Sequence, residues 1–157
     1  MKNYRKRVTT GVYLIKGDKI LFLVRNKKND TVHTKGVYLP IGGHVEYSED
    51  IEEAAKREVL EESGIRVAKV TLAGIINVRG QQKEHDMLVY LFSSRKFTGK
   101  PVTGREGSFV WIDKKNIPDI PTYAGDQIFL KYLLADKFFV IDFLFAGNKM
   151  LDYKVLT

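Results

Sequence analysis

The sequence predicts a mixed α/β fold (α+β), and three observations predict it. Residues 48–64 carry the caps, charge placement and apolar spacing of a helix. A second amphipathic segment, 126–135, has Ile128, Phe129, Tyr132 and Leu133 on one stripe. Between and around these lie β-rich runs separated by Gly, Asn, Asp and Pro, with no linker, repeat or low-complexity tract. At 157 residues the chain suffices for one domain with a substantial core, so a single unit over 1–157 is expected.

The elements follow in order. Residues 8–15 read as a strand, Lys16-Gly17-Asp18 as a turn and 19–24 as the returning strand of a hairpin. The polar stretch 25–36 is a loop, and its Arg25, Lys27, Lys28 and Lys35 could meet phosphates. Residues 38–41 are a short extended piece limited by Pro40, and Gly42-Gly43 permits a sharp turn and close backbone approach. In the first helix Ser48 is the expected N-cap. Glu49 and Asp50 place negative charge at the positive end of the dipole, and Gly64 is the stop. Residues 67–78 and 86–97 are strands, 99–107 a glycine-rich loop and 109–112 a short strand. Asp113 can cap a helical turn ending near Pro118, Gly125 or Asp126 opens the second helix, and 138–145 with 150–155 form a closing hairpin.

The net charge of +7 suits polyanionic partners such as nucleotides, although a generally basic surface would read the same. The absence of cysteine excludes disulfides and thiol chemistry. The apolar run after the basic N-terminus is too short for a membrane span or a signal peptide, which makes a cytoplasmic protein without membrane association the default expectation.

The chemistry concentrates on the first helix. One stripe runs Ile51, Ala55, Glu58, Glu62, beginning apolar and ending in carboxylates, with Glu61 at its edge. Like charges at i, i+4 repel, and the last turn is already the negative end of the dipole. Carboxylates aligned with core-facing residues also lose hydration. A bound divalent cation offsets these costs, and a donor set of oxygens alone points to a hard ion, Mg²⁺ or Mn²⁺. An exposed acidic helix end is the alternative reading of the helix taken alone.

The full stretch from Gly43 to Ile65 fits the pattern G-x5-E-x7-R-E-U-x-E-E-x-G-U, with U bulky and aliphatic. It does so through Gly43, Glu49, Arg57, Glu58, Val59, Glu61, Glu62, Gly64 and Ile65. A chance match is on the order of one in a billion per window, which sets coincidence aside. The chain thereby resembles the Nudix hydrolases. The resemblance implies their α/β/α sandwich, a mixed β-sheet between helices, with 49–63 on one side and 126–135 on the other. It implies Glu58, Glu61 and Glu62 as metal ligands in catalysis, with the Gly43 carbonyl as a further ligand. Arg57 would brace the loop from Gly43 to Glu49. Glu106, in the loop before Trp111, matches a glutamate that in the family is a further metal ligand or the general base. Either Glu58 or Glu106 could be that base.

The C-terminal region resembles the MutT-type branch that hydrolyses oxidised purine nucleoside triphosphates. There an aromatic residue and one or two aspartates before the last helix hold the purine; Tyr123 and Asp126 match, and Arg25 is a candidate phosphate contact. Two positions depart from the pattern. Gly125 stands at the neighbouring aspartate position and Leu39 where some members have asparagine, so loss of polar partners implies a modest preference for oxidised over ordinary purines. The implied substrate is a nucleoside triphosphate, with no stable nucleic-acid complex expected. Removal of pyrophosphate from RNA ends, and a Nudix-fold binding module without turnover, are the alternatives.

Overall fold

The computed structural model describes residues 5–25, 36–104 and 107–157. In chain order these form β1 (Lys6–Lys16), β2 (Lys19–Arg25), β3 (Tyr38–Leu39), β4 (Ile41–His44), α1 (Ile51–Ser63), β5 (Arg66–Arg79), β6 (Asp86–Thr98) and β7 (Gly107–Asp113). A 3-10 helix (Lys114–Asp119), α2 (Asp126–Leu134), β8 (Phe139–Ala146) and β9 (Lys149–Val155) complete the chain. The expected Lys27, Lys28 and Lys35 contacts, and Glu106, lie outside the described residues.

β1 is the strand on which the sheet is built. Residues 10–15 are buried without interruption, the pattern of a strand covered on both faces. It pairs antiparallel with β2 through the 16–19 turn, antiparallel with β4 over residues 9–12, and parallel with β6 along nine residue pairs. The main path of the sheet is β3-β2-β1-β6-β5-β8-β9, with β4 joining at β1 and β7 at β2. The parallel β1–β6 and β5–β8 pairs among antiparallel neighbours make it a mixed sheet.

The two faces bury separate cores. Val12, Leu14, Leu21, Leu23 and Ile41 pack beneath α1 through Ala55 and Val59. Tyr13, Ile15, Ile20, Phe22 and the aromatic residues of β8 pack beneath α2 through Phe129, Leu130 and Leu133. The expected α/β/α sandwich is therefore the architecture found. Alternation along β1 decides the assignment, because Val12 and Tyr13 must face opposite ways. No described helix is long and apolar enough to cross a membrane.

Local expectations needed three corrections. The N-cap of α1 is Asp50, whose carboxylate accepts from the amides of Glu52 and Glu53 at 2.9 and 3.1 Å. Ser48 instead occupies the left-handed region at φ 62° in the preceding turn. The helix begins later because Glu49 is held out of it by a side-chain partner described below. Gly42 and Gly43 lie within β4 rather than in a turn, although their close approach to neighbouring atoms is real. Asp113 precedes the 3-10 helix without a side-chain cap and pairs with Lys19 at 3.0 Å.

Candidate active site

The buried face of α1 is Ala54, Ala55, Val59 and Ser63, with Ile51 partly buried. The expected line through Glu58 and Glu62 is thus displaced by one position. The core ridge follows Ile51, Ala55, Val59 and Ser63, and the carboxylates border it. That placement keeps the acids out of the apolar core while leaving them close to it. The side chain of Glu58 is only 14% exposed, and Oε2 of Glu62 is buried. The last turn of α1 holds no basic side chain.

Arg57 organises the surrounding groups. Its Nε and Nη2 donate to the two carboxylate oxygens of Glu49 at 2.6 and 3.0 Å, a two-pronged pair. Nη2 also donates to the carbonyl of His44 at 3.1 Å. Nη1 donates to Glu58 Oε1 at 3.0 Å and Glu61 Oε2 at 3.1 Å. The backbone amide of Glu46 donates to Glu49 Oε2 at 2.9 Å, which closes the loop onto the same carboxylate. The hydrogen bonds from Arg57 hold the Glu49 carboxyl below its ordinary range, and Glu49 in turn raises the Arg57 guanidinium. One planar cation therefore fixes the segment between β4 and α1 and shields two of the three carboxylates from each other.

Gly43 lies against the Glu58 carboxylate so closely that a Cβ there would stand 2.6 Å from Glu58 Cδ and would push that carboxylate out of its place. A Cβ on Gly42 would fall 1.8 Å from the Thr10 carbonyl oxygen. Gly42 is thus required by backbone contact rather than by torsion, and Gly43 leaves the room that the Glu58 carboxylate occupies. The buried Thr10 hydroxyl reaches the Gly43 carbonyl at 3.5 Å, so β1 supports this corner from below.

The oxygen-only donors of this corner suit a hard divalent ion in chemistry. Three carboxylates at the negative end of a helix, one with a buried oxygen, are a set that a cation stabilises. In conformation Glu58 and Glu61 are turned to Arg57, and no three acidic or histidine side chains among the described residues converge on one coordinating point. Binding a cation would require them to exchange part of that hydrogen bonding.

Three residues along β1 from Thr10, on the opposite face, lies a second group. Asp126 opens α2, and its amide donates to the Tyr123 carbonyl at 3.1 Å. Burial raises the Asp126 carboxyl to about 7, against the pull of a hydrogen bond from the Tyr123 backbone. Tyr13, fully buried, titrates well above its ordinary range through burial and the nearby Asp126 charge. Tyr123 lines a cavity of about 150 Å³ with Gln81, Phe145 and Asn148, at the turns joining β5 to β6 and β8 to β9. Gly125 caps α2 at φ 94°, and a Cβ on it would meet the Phe143 ring at 2.8 Å. The missing aspartate is thus matched by a ring that fills its place. Leu39 is buried opposite Leu23. Arg25 ends β2 exposed, opposite Gly107.

The structure brings Gly43, Glu49, Arg57, Glu58 and Glu61 into one network, and Tyr123 and Asp126 into another. Sequence reasoning did not find Tyr13, Phe143 or Thr10 as site neighbours. Each sits in a strand whose apolar run gives no sign of which residue borders an acid.

The model of the NUDIX domain matches residues 5–133. Among curated proteins, the chain is 32% identical over 116 residues to an oxidized purine nucleoside triphosphate hydrolase of Danio rerio, covering 74% of each chain. It is 34% identical over 115 residues to the protein of the same description from Mus musculus, covering 73% of this chain and 74% of that one. Among solved structures, a mutator MutT protein from Bacillus halodurans superposes with a TM-score of 0.84 over 96% of this chain and 97% of that one, at 24% identity.

Proposed function

This chain belongs to the Nudix family, hydrolases acting on pyrophosphate bonds, and from that premise we propose that it cleaves purine nucleoside triphosphates, oxidised purines among them, to the monophosphate and pyrophosphate. The observation that carries the substrate reading is Asp126. A carboxyl titrating at about 7, beside Tyr123 at the mouth of α2, can read the edge of a purine in either protonation state. Ionised, it accepts from the N1–H and amino group of guanine; protonated, it also donates, as an adenine edge requires. The curated relatives described as acting on oxidised purine triphosphates support the same reading.

The reaction is attack of water on a phosphorus of the triphosphate chain. A bound Mg²⁺ or Mn²⁺, held by Glu58, Glu61 and Glu62 with the Gly43 carbonyl and Glu106, would neutralise phosphate oxygens and acidify the attacking water. Arg57 keeps the 43–49 segment in place rather than touching substrate, since its Nε and Nη2 are held by the Glu49 carboxylate and the His44 carbonyl. Either Glu58 or Glu106 takes the proton from water. Tyr123 offers a ring face to the base and Arg25 a charge to the phosphates. Gly125 and Leu39 supply no polar side chain, so discrimination between oxidised and ordinary purines is modest.

The test is kcat/KM for 8-oxo-dGTP, dGTP, dATP and dCTP, measured by pyrophosphate release with and without Mg²⁺. Purines should exceed dCTP and release should need the metal. Equal turnover of dCTP would remove the base-pocket assignment, and metal-independent turnover would remove the carboxylate assignment.

A further inference from the structure

β9 ends the path of the sheet, and among the described residues no strand pairs with its outer edge. One bond fixes where its backbone groups point. The Leu156 amide donates to the Val140 carbonyl at 2.8 Å, one step beyond the Ile141–Val155 pair. Antiparallel pairs alternate between hydrogen-bonded and non-hydrogen-bonded, so Lys154 and Asp152 direct their N–H and C=O groups to β8. Tyr153 and Val155 direct theirs to the open edge. The Tyr153 amide agrees, since it donates to Asp152 Oδ1 at 2.9 Å and not to β8. An outward row of backbone groups is a template for a further strand.

Side chains divide the same residues between two faces. Tyr153 and Val155 stand opposite Phe143 and Ile141 on the α2 side, and the Tyr153 and Phe143 rings lie 6.2 Å apart. Asp152 and Lys154 project from the other face and are exposed. Leu151, Tyr153 and Leu156 are large apolar side chains exposed along this same edge.

The order of charges along β9 selects the strand that fits. A second copy laid antiparallel across a two-fold axis must set outward residues against outward residues, so the axis passes through a residue. An axis at Asp152 sets that acid on itself, and an axis at Lys154 sets that base on itself. An axis at Leu151 sets Asp152 against Met150, and one at Val155 sets Lys154 against Leu156. Only an axis at Tyr153 pairs Asp152 with Lys154 of the second copy, on both sides of the axis. Those pairs fall at non-hydrogen-bonded positions, where side chains are closest. Lys154, already opposite Asp142 in its own sheet, then lies between two acids. The two Tyr153 residues exchange amide bonds across the axis, which releases each Asp152 carboxylate from the Tyr153 amide to the lysine. The register shift between Leu144 and Phe145 leaves 152–155 regular. Charges on an edge ordinarily keep a second strand away. This order attracts a copy of itself.

We propose that β9 is a self-complementary interface through which two copies of this chain join edge to edge, with the two-fold axis at Tyr153. The sheet then runs continuously through both copies. One short strand pair is a small interface, so the dimer is weak, with Kd on the order of tens of micromolar.

The experiment is sedimentation velocity of the full chain from about 5 to about 500 µM at fixed salt, a range that spans this Kd. Wild type should pass from monomer to dimer. Asp152→Lys sets lysine against lysine across the axis and Lys154→Asp sets acid against acid, so each alone should weaken dimerisation by about tenfold or more. An equimolar mixture of the two variants should recover the dimer as a heterodimer, because every contact across the axis is again between opposite charges. Lys154→Asp also faces Asp142 in its own sheet, and recovery in the mixture shows that this variant is folded. A second readout needs no variant. Exchange of the Tyr153 and Val155 amide hydrogens in wild type should slow several-fold from the low to the high end of the range. Wild type that stays monomeric, single variants that dimerise as wild type does, a mixture that stays monomeric, or amide exchange independent of concentration would each overturn the proposal.

Discussion

The environment of Asp126 moves its carboxyl into the neutral pH range. Burial lifts its carboxyl from 3.8 to about 7, so the folded chain binds a proton that the unfolded chain has already released. The stability associated with that proton is fully present below pH 3.8 and is lost as pH rises through about 7. Between pH 5 and pH 8 wild type should lose on the order of 3 kcal/mol relative to Asp126→Asn, whose amide does not titrate. Urea denaturation of both proteins at pH 5 and pH 8 checks it; parallel pH dependence would remove the shifted carboxyl. For catalysis the sign is opposite for guanine nucleotides. Their kcat/KM should rise through pH 7 as Asp126 ionises, and Asp126→Asn should lower it by roughly one to three kcal/mol of transition-state binding without altering the metal requirement. Glu58 makes a second prediction at this scale. Glu58→Gln keeps an acceptor for Arg57 but loses the charge a metal needs, so kcat should fall by about two orders of magnitude or more in pyrophosphate release. Full turnover by this variant would remove Glu58 from the metal set.

At the scale of elements, α1 and the segment before it are one device. Arg57 holds Glu49 outside the helix, so capping passes to Asp50 and the chain bends at Ser48 with a positive φ. Asp50→Ala should therefore destabilise by about 1 kcal/mol, while Ser48→Gly should be neutral or stabilising because glycine adopts φ 62° without strain. Thermal unfolding of the two variants discriminates this arrangement from one capped by Ser48, for which the ranking reverses. The same coupling explains why the acids border the buried ridge. Val59, not Glu58, meets the core, and Glu58 is left against Gly43 in β4.

For the whole molecule, the mixed sheet carries the two groups of site residues on opposite faces of β1. Thr10 supports the Gly43 corner on one face, and Tyr13 borders Asp126 on the other. We expect the chain to unfold as one unit, since both cores are built on the same central strands. Mg²⁺ bound only by the folded chain raises Tm as its concentration exceeds Kd. At about a hundred times Kd the gain is about 2.7 kcal/mol, or several degrees for a domain of this size. Differential scanning fluorimetry should show that rise in wild type and not in a Glu58→Gln/Glu62→Gln double variant. An equal rise in both would move the metal elsewhere.

The sequence by itself determined the element types, the two-helix mixed sheet and the identity of the carboxylate helix. Those rest on local signals: caps, turn residues, apolar spacing and a motif contiguous from Gly43 to Ile65. The resemblance carried by that motif also implied Arg57 as a brace for the 43–49 segment. Tertiary structure decided which face of α1 is buried and that Asp50 caps it, since both depend on the Arg57–Glu49 pair and on the fit of Val59 into the core. It alone set Tyr13 beside Asp126, Phe143 in the space that a side chain at 125 would need, and Lys69 opposite Lys96. These are contacts between residues 18 to 113 positions apart, and no local pattern encodes the register or face that brings them together.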